Sequence, residues 1–382
     1  MEALPASKPL ASPAAQPEEL LAAEMEELAF SGPDLQKEAS NKQTVLITGH
    51  AGFIGFHTAK ALLERGDKVI GFDSLNSHYD TRLKRERLLM LEEIAKATGS
   101  KYHSVRADLC DATELHECLE TYKVQRVIHL AGQTDKFLSH EKPVECVQNN
   151  INSFVSLLEA CRHFKIHHLT YASSHAVYGA GFQKPMSERD CASHPQRLDA
   201  AAQRACELMA HSYSHQFRLP TTGLRFFSVY GPWGRPDSVL FSFIRKILEG
   251  KPIQIYNDGS NTRDYTYIAD VVEAILRASD TPAEPNPSWL SEMPDQASSN
   301  APWQIFNVGN CRAVSIDELV RALETSLEKR AITELITGPI LEKSQSCADN
   351  SLLAKATGFR PNTDIQTGVN ELVQWYRTFY QV

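Results

Sequence analysis

The chain has 382 residues, of which 42% are hydrophobic and 23% are charged, and its formal net charge is −8 at pH 7. This composition is typical of a soluble globular protein with one large domain or two interlocked ones. It argues against nucleic-acid binding, which requires clustered Lys and Arg, and no apolar run approaches the length needed to insert across a membrane.

Residues 1–42 form an acidic extension with eight acidic residues, three lysines and no arginine. Transit peptides are basic, so this segment is not a convincing targeting signal. Its first half has the composition of a disordered chain, whereas EELLAAEMEELAF places Leu21, Met25 and Leu28 on one helical face. Two interpretations stay open: a partly disordered tail, or a short amphipathic helix that docks on a partner or on the protein itself.

From Thr44 the chain alternates between apolar strands and amphipathic helices. The predicted strands are TVLITG, KVIGFD, residues 102–107, QRVIHLA, HHLTYAS and TTGLRFF. The predicted helices are AGFIGFHTAKALLERG, residues 81–97, 112–121 and 144–163, and a helix that opens within residues 194–211. This alternation predicts a doubly wound parallel sheet with helices on both faces.

Beyond Phe227 the alternation loosens. A helix over 238–249 leads into PIQIYNDG, and RDYTYIADVVEAILRAS predicts a strand or turn that enters a helix. Residues 280–302 are rich in Pro and Ser and predict a surface insertion or linker. IFNVGN then predicts a strand, and helices over SIDELVRALETSLEK and residues 365–380 complete the chain.

The eight cysteines are spaced irregularly and include no CxxC pair. Because several lie in predicted helices or strands, we expect reduced, buried thiols rather than disulfides. A cytoplasmic location follows as the expectation, while an organellar location stays open. The sequence suggests no metal site.

A glycine-rich turn joins the first strand to the first helix. Gly49, Gly52 and Gly55 in GHAGFIG let the backbone turn tightly and approach a pyrophosphate at the helix N-terminus. Asp73 ends the second strand, 18 residues past Gly55, where a carboxylate accepts both ribose hydroxyls and repels a 2′-phosphate, favouring NAD over NADP. Asp108 ends the third strand, either as an adenine contact or as a plain turn residue.

Four further segments resemble a known family. HLAGQ, YASSHAVYG, LRFFSVYGPWGRPD and RDYTYIADVVEAI are similar to segments of extended short-chain dehydrogenase/reductases, and most of all to those of UDP-glucuronate 4-epimerases. The resemblance runs from about Gln43 to Phe379. It implies bound NAD, a UDP-sugar substrate, and redox chemistry at C4 of the sugar, in which a tyrosine takes the O4 proton and a lysine four residues later lowers the pKa of that tyrosine.

The resemblance also implies a domain organisation. We predict a Rossmann-type NAD-binding domain over residues 43–227 and a smaller C-terminal α/β substrate-binding domain over residues 228–382, part of which returns to the first sheet. The family commonly pairs helices into dimers, so we expect a homodimer, or a subunit of a larger assembly that docks through the N-terminal extension.

Individual site residues follow from the resemblance. Ser174 stands at the usual catalytic serine position, and the arginines at the sugar-nucleotide site supply the fork-shaped donor that phosphate or carboxylate prefers. The implied NAD-binding residues are Gly49, Gly52, Phe53, Ile54, Gly55, Asp73, Asn76, Asp108, Leu109 and Asn150, and the implied substrate-binding residues are Ser228, Arg235 and Arg263.

The catalytic pair departs from the family pattern. The family helix typically reads SLYAATKKANE, whereas this chain has RLDAAAQRACE, with Asp199 at the tyrosine position and Gln203 at the lysine position. Aspartate is too short to reach O4 and, with an ordinary pKa of about 4, is a weak base for an alcohol. Gln203 carries no charge. We interpret the two as a hydrogen-bonded i, i+4 pair near a helix start.

Two functional hypotheses follow. The first is a pseudoenzyme, which still binds NAD and serves as a binding or structural subunit. The alternative is an active NAD-dependent nucleotide-sugar 4-epimerase with a relocated proton carrier, for which His175, next to Ser174, is the candidate with a suitable ordinary pKa.

Overall fold

Seven strands form one parallel sheet at the centre of the molecule. The structure, a computed structural model, describes residues 43–179, 185–256, 261–336 and 345–382, without the side chains of residues 136–138 and 256. The strand order is β10-β6-β5-β4-β1-β2-β3. Its strands are β1 (Thr44–Thr48), β2 (Lys68–Phe72), β3 (Tyr102–Val105), β4 (Arg126–His129), β5 (His168–Ser174), β6 (Thr221–Phe226) and β10 (Trp303–Val308).

Helices cover both faces of this sheet because successive strand residues point to opposite sides. Val45 and Ile47 of β1 pack into a core shared with one group of helices, and Leu46 packs into the core on the other face. The first group comprises α1 (Phe53–Arg65), α2 (Thr81–Thr98), α9 (Ile268–Asp280) and α11 (Ser351–Thr357). The second comprises α3 (Ala112–Tyr122), α6 (Ser153–His163) and α7 (Leu198–Phe217). The predicted doubly wound parallel sheet is confirmed.

The long helix predicted over residues 144–163 is divided in the structure. Helices α4 (Lys136–Glu141) and α5 (Pro143–Val147) lead into a π-helical turn, Gln148–Asn152, before α6 begins. The turn aims the buried amide of Asn150 inward, where its Nδ2 donates to the Gln133 carbonyl over 2.9 Å. Sequence periodicity missed this break because an apolar face persists through a π-helical turn.

The C-terminal part builds a second, smaller core. Its strands form two small sheets, β7 (Ser228–Tyr230) with β9 (Thr262–Tyr267) and β11 (Ala313–Ser315), and β8 (Ile253–Tyr256) with β12 (Thr333–Ile336). Helices α8 (Val239–Glu249), α10 (Ile316–Leu327) and α12 (Ile365–Tyr380) pack against them. Both β10 and α9 follow residue 228 yet contact the large sheet, so the chain crosses between the two cores. The proposed domain boundary stays a prediction.

Some expectations concern individual features. The acidic extension, with its predicted helix, lies outside the described residues. All eight cysteines are free thiols. Burial is confirmed for Cys118, Cys146, Cys161 and Cys206; Cys347 is half-buried, and the expectation is wrong for Cys110, Cys191 and Cys311, which are exposed. Among the described helices, none combines the length and apolarity that a bilayer crossing requires. The described part of the chain holds no group of three His, Cys, Asp or Glu side chains placed to bind a metal.

Candidate active site

A cavity of about 400 Å³ opens where the strands of the large sheet end. The segments that follow β1 to β6 contribute its walls, because the carboxyl ends of parallel strands meet at one edge of the sheet. Among the residues predicted to bind or react, those that line the cavity are Gly49, Gly52, Phe53, Ile54, Gly55, Asp73, Asn76, Asp108, Leu109, Ser174, Gln203 and Arg235.

The glycine turn at one end of the cavity has no space for side chains. Gly49 has φ of 74°, and a Cβ there would lie 2.7 Å from the Ala131 nitrogen. A Cβ on Gly55 would lie 2.1 Å from the Gly49 carbonyl oxygen. Gly52 caps α1 without a side-chain hydrogen bond, so the first N–H groups of the helix remain available to an anion. This geometry fits the diphosphate of a dinucleotide.

Asp73 is held in place by backbone donors beside the glycine turn. Its Oδ1 accepts from the Leu75 nitrogen over 2.8 Å and its Oδ2 accepts from the Ala51 nitrogen over 3.2 Å. Lys84 also lines this end, and its Nζ donates to the backbone oxygen and to Oδ1 of Asn76 over 2.9 and 2.8 Å. The carboxylate is thus fixed beside the glycine turn, and its role toward ribose hydroxyls stays a prediction.

Asp108 is a turn residue that also lines the cavity. Its Oδ1 accepts from the Cys110 nitrogen over 2.8 Å, which makes it a turn residue, and it also lines the cavity with Leu109. Its role toward an adenine stays a prediction.

The other end of the cavity contains Ser174 and His175. Ser174 Oγ accepts from the Ala176 nitrogen over 3.2 Å. The His175 ring stacks on Phe227 at 5.0 Å between centroids, and its Nδ1 lies 3.2 Å from the Phe226 carbonyl oxygen. Burial lowers the pKa of His175 to about 4, so the imidazole is neutral at pH 7.

A buried ion-pair cluster lies beneath this end. Ser173 Oγ donates to Glu207 Oε1 over 2.6 Å, and Arg225 makes two hydrogen bonds of 2.8 Å to the same carboxylate. Arg204 donates to Glu207 Oε2 over 2.7 Å. Burial opposes the charge on Glu207, yet the two arginines outweigh it and its pKa is lowered. The cluster fixes β5 against α7 at Ser173, the residue that precedes Ser174.

Asp199 and Gln203 have separate environments. Gln203 lines the cavity, whereas Asp199 is 5% exposed and outside the set of described residues that line it. Its carboxylate accepts from Arg197 over 3.0 and 2.7 Å, and from Ser139 Oγ over 3.3 Å. The interpretation of a hydrogen-bonded Asp199–Gln203 pair is therefore corrected, because the flanking arginine supplies a charged donor that outcompetes an amide.

Three other predicted site residues lie outside the described lining. Asn150 Oδ1 accepts from the Gln133 nitrogen over 2.7 Å, so its amide positions the segment after β4. Ser228 begins β7, between the lining residues Phe227 and Val229. Arg263 is exposed on β9, where its Cα is paired with that of Val314. Their proposed binding roles stay predictions.

Several lining residues were not identified from the sequence. The segment Gln133–Asp135 lines the cavity immediately after β4, and Tyr79 and His78 line it near Lys84. The position of QTD at the carboxyl end of a predicted strand was an available signal, since Asp73 and Asp108 were found on that basis.

The fold and the site together define a dinucleotide-dependent α/β protein. The defining features are an open parallel sheet, a glycine turn after the first strand, a carboxylate after the second and a serine at the end of the fifth. Comparison with known proteins is more specific. Residues 45–290 match the NAD dependent epimerase/dehydratase family, and the chain belongs to that family. The resemblance to extended short-chain dehydrogenase/reductases of the UDP-glucuronate 4-epimerase type is thereby confirmed.

Three relatives illustrate the similarity. Protein CapI of Staphylococcus aureus is 43% identical over 340 residues, covering 88% of this chain and 99% of CapI. A probable UDP-glucuronate 4-epimerase of Rhizobium meliloti is 39% identical over 337 residues, covering 88% and 97%. The crystal structure of UDP-glucuronic acid 4-epimerase from Bacillus cereus, in complex with UDP-glucuronic acid and NAD, matches with a TM-score of 0.75 at 28% identity, covering 88% and 100%.

Proposed function

We propose that this chain binds NAD and a UDP-sugar and carries out 4-epimerase chemistry on that sugar nucleotide, with a proton carrier other than a tyrosine–lysine pair. The observation that carries the proposal is the single cavity in which the glycine turn and Asp73 face the same space as Ser174 and His175. The named relatives include a probable UDP-glucuronate 4-epimerase and a UDP-glucuronic acid 4-epimerase, and this chain covers 97% and 100% of their lengths.

The coenzyme end suits NAD by its backbone and its charge. The glycine turn and the start of α1 would hold the diphosphate, and Asp73 would accept the ribose hydroxyls. NAD supplies a hydride acceptor for C4 of the sugar and later the hydride donor. The remaining steps belong to side chains of this chain, which orient the sugar and move the O4 proton.

His175 is the proposed proton carrier. Because the Phe226 carbonyl can only accept, the hydrogen bond at Nδ1 places the imidazole proton there and leaves a lone pair on Nε2. The hydroxyl of Ser174 would bind O4 beside it. With a pKa of about 4, His175 is a weak base at neutral pH. We therefore expect turnover about 10²–10⁴-fold below that of an epimerase with a tyrosine–lysine pair.

A second candidate function is binding without turnover, in which the protein serves as a binding or structural subunit. The observation that favours it is the hydrogen bonding of Asp199. Its carboxylate accepts from Arg197 and Ser139 and lies outside the described cavity lining. Gln203, which does line the cavity, has no charge with which to activate another group.

One experiment separates the two candidates. Full-length protein loaded with NAD is incubated at stoichiometric concentration with UDP-glucuronate and, separately, UDP-glucose, and the C4 epimers are separated over hours. Slow interconversion that disappears in His175→Gln supports the proposal. Binding of NAD and sugar nucleotide without interconversion supports the second candidate, and failure to bind NAD contradicts both.

We also propose a homodimer through the outer faces of α6 and α7. Val155 on α6 and Leu208 on α7 are 36% and 56% exposed, and both helices lie on the same face of the large sheet. Light scattering of the purified protein tests this proposal, with Leu208→Glu expected to shift a dimer to a monomer. Docking through residues 1–42 remains a separate prediction, tested by comparing the full chain with one that begins at residue 43.

A further inference from the structure

Arg87 on α2 is a buried cation that joins two segments of the cavity wall through their backbone oxygens. Its Nη1 donates to the Ala51 carbonyl oxygen over 2.8 Å, and its Nη2 donates to the Trp233 carbonyl oxygen over 2.5 Å. Ala51 belongs to the glycine turn, and Trp233 lies two residues before Arg235, which lines the cavity. One guanidinium therefore connects the coenzyme end to the segment that carries Arg235.

The segment at Trp233 is also held by α1, the helix that begins at the glycine turn. Nε2 of His57 lies 2.9 Å from the Pro232 carbonyl oxygen and, because a carbonyl can only accept, carries the imidazole proton. The Trp233 ring packs on Phe56 with 5.4 Å between centroids. Both helices that follow the first two strands thus contact this one segment.

The backbone of Trp233 depends on such contacts. Its φ is 60°, in the left-handed region, which is unfavourable for a residue with a Cβ and persists where the surroundings fix it. The hydrogen bond from Arg87 and the ring contacts with Phe56 and Trp375 supply that support. Loss of the arginine donor would let the segment relax toward an ordinary conformation and would move Arg235.

The charge of Arg87 lacks an ion pair within the part of the chain that the structure describes. The side chain is fully buried, and its Nη1 also donates to the hydroxyl oxygen of Tyr79 over 2.8 Å. Burial lowers the pKa of Arg87, against the attraction of Tyr79 and of the Asp73 carboxylate. A buried cation without a paired anion is stabilised by an anion that binds close by. A diphosphate at the glycine turn would supply that charge.

We propose that Arg87 is a positioning residue that couples the two ends of the cavity, so that NAD at the coenzyme end favours the conformation of residues 232–235 that binds a UDP-sugar. This inference rests on the proposed function, because NAD and a UDP-sugar are the two ligands that it couples. NAD would order the glycine turn and compensate the charge of Arg87. Either ligand then lowers the cost of ordering the network for the other, and the coupling is reciprocal.

Calorimetric titration of the full-length protein with UDP, with and without saturating NAD, measures this coupling. UDP has no sugar, so the result does not depend on contact between a sugar and the nicotinamide. In the wild type we expect NAD to raise UDP affinity at least ~5-fold. Arg87→Lys keeps the charge but loses the planar fork that reaches two carbonyls, and Arg87→Met loses both. In each variant we expect NAD to change UDP affinity less than about twofold, and Arg87→Lys decides the test if Arg87→Met does not fold.

Arg126→Met is the matched control. Arg126 is also buried and donates to a backbone oxygen, that of Ser279, over 3.2 Å, but it begins β4, at the edge of the sheet opposite the cavity. This variant should lose stability and keep the wild-type coupling.

The outcomes separate the inference from the proposed function. If UDP and NAD both bind but the wild type shows no coupling, or if the Arg87 variants keep the wild-type coupling, the inference is overturned and the proposed function stands. Equal loss of coupling in Arg126→Met overturns it too, because the effect would then follow from lost stability. Failure of UDP to bind the NAD-loaded wild type overturns the proposed function, and this inference with it.

Discussion

The two ends of the cavity are built from different parts of the polypeptide. The coenzyme end consists of backbone, in which a Cβ on Gly49 or Gly55 would overlap a neighbouring main-chain atom. The sugar end depends on side chains that pair with one another, as Arg235 does with Asp237 in the cavity wall and Asp199 does with Arg197 outside the lining. A backbone-built site tolerates few substitutions, whereas a side-chain-built site can change its chemistry while the fold persists. This protein keeps the first, and its sequence predicts a departure from the family pattern at the second.

The largest effect is expected from restoring the family residues at the sugar end. The variant Arg197→Ser, Asp199→Tyr, Gln203→Lys removes the ion pair that holds position 199 and installs a phenol and an ammonium one helical turn apart. Turnover of the UDP-sugar should rise about 10²–10⁴-fold, because an activated phenol replaces the weakly basic His175 as the proton carrier. Arg197→Ser alone is the control and should not gain activity.

That prediction has a clear opposite outcome. If the triple variant binds NAD and sugar nucleotide as the wild type does but shows no gain in turnover, the missing pair is not what limits catalysis. The difference between the two ends of the cavity would then have to lie in substrate orientation.

The coenzyme end should be as intolerant as its geometry indicates. In Gly55→Ala the new methyl would lie 2.1 Å from the Gly49 carbonyl oxygen, so the turn must shift away from the dinucleotide. We expect NAD affinity, measured by fluorescence titration, to fall at least ~100-fold, about 2.7 kcal/mol. Gly250→Ala is the control: Gly250 ends α8 with φ of 70°, and no atom lies within 4 Å of its Cβ position. It should lose only about 1 kcal/mol of stability and bind NAD normally.

The buried cluster under the sugar end should matter for stability more than any surface pair. Glu207→Gln leaves Arg225, with 1% side-chain exposure, without a compensating charge. The free energy of unfolding should fall by about 3–5 kcal/mol in urea titrations. Glu159→Gln provides the comparison, because the Glu159–Arg162 pair is partly exposed at the surface and should contribute about 0–1 kcal/mol. Equal losses in the two variants would mean that the cluster does not support the sugar end.

Sequence patterns predicted the coenzyme end better than the sugar end, for a physical reason. Glycine spacing and a carboxylate after the second strand report on backbone geometry, which is local in sequence, and both were found in the cavity. The pairing of Asp199 with Ser139 joins residues 60 positions apart, and that of Arg235 with Thr134 joins residues 101 apart. Arg197 and Asp237, the other partners, lie only two residues from Asp199 and Arg235. Hydrophobic periodicity has no information on side-chain hydrogen bonds at either separation, so the fold was predicted and the side-chain partners were not.

The smallest expected effect is a pH dependence that the two ends share. Burial lowers the pKa of His50, beside the glycine turn, and of His175, at the sugar end, to about 4 each, against 6.5 in the unfolded chain. Between pH 4 and pH 6.5, each of these histidines therefore binds a proton in the unfolded chain but not in the folded protein. Each contributes stability that is complete above pH 6.5 and is lost as the pH falls toward 4. Each should add up to about 1.4 kcal/mol per pH unit to the slope of unfolding free energy against pH.

Urea midpoints measured at pH 7, 6 and 5 should thus fall less steeply with decreasing pH in His50→Asn and in His175→Gln than in the wild type. If the pH dependence of stability is unchanged in His175→Gln but reduced in His50→Asn, the imidazole of His175 is accessible to water in the folded protein. The two ends of the cavity would then differ in burial as well as in the parts of the polypeptide that build them.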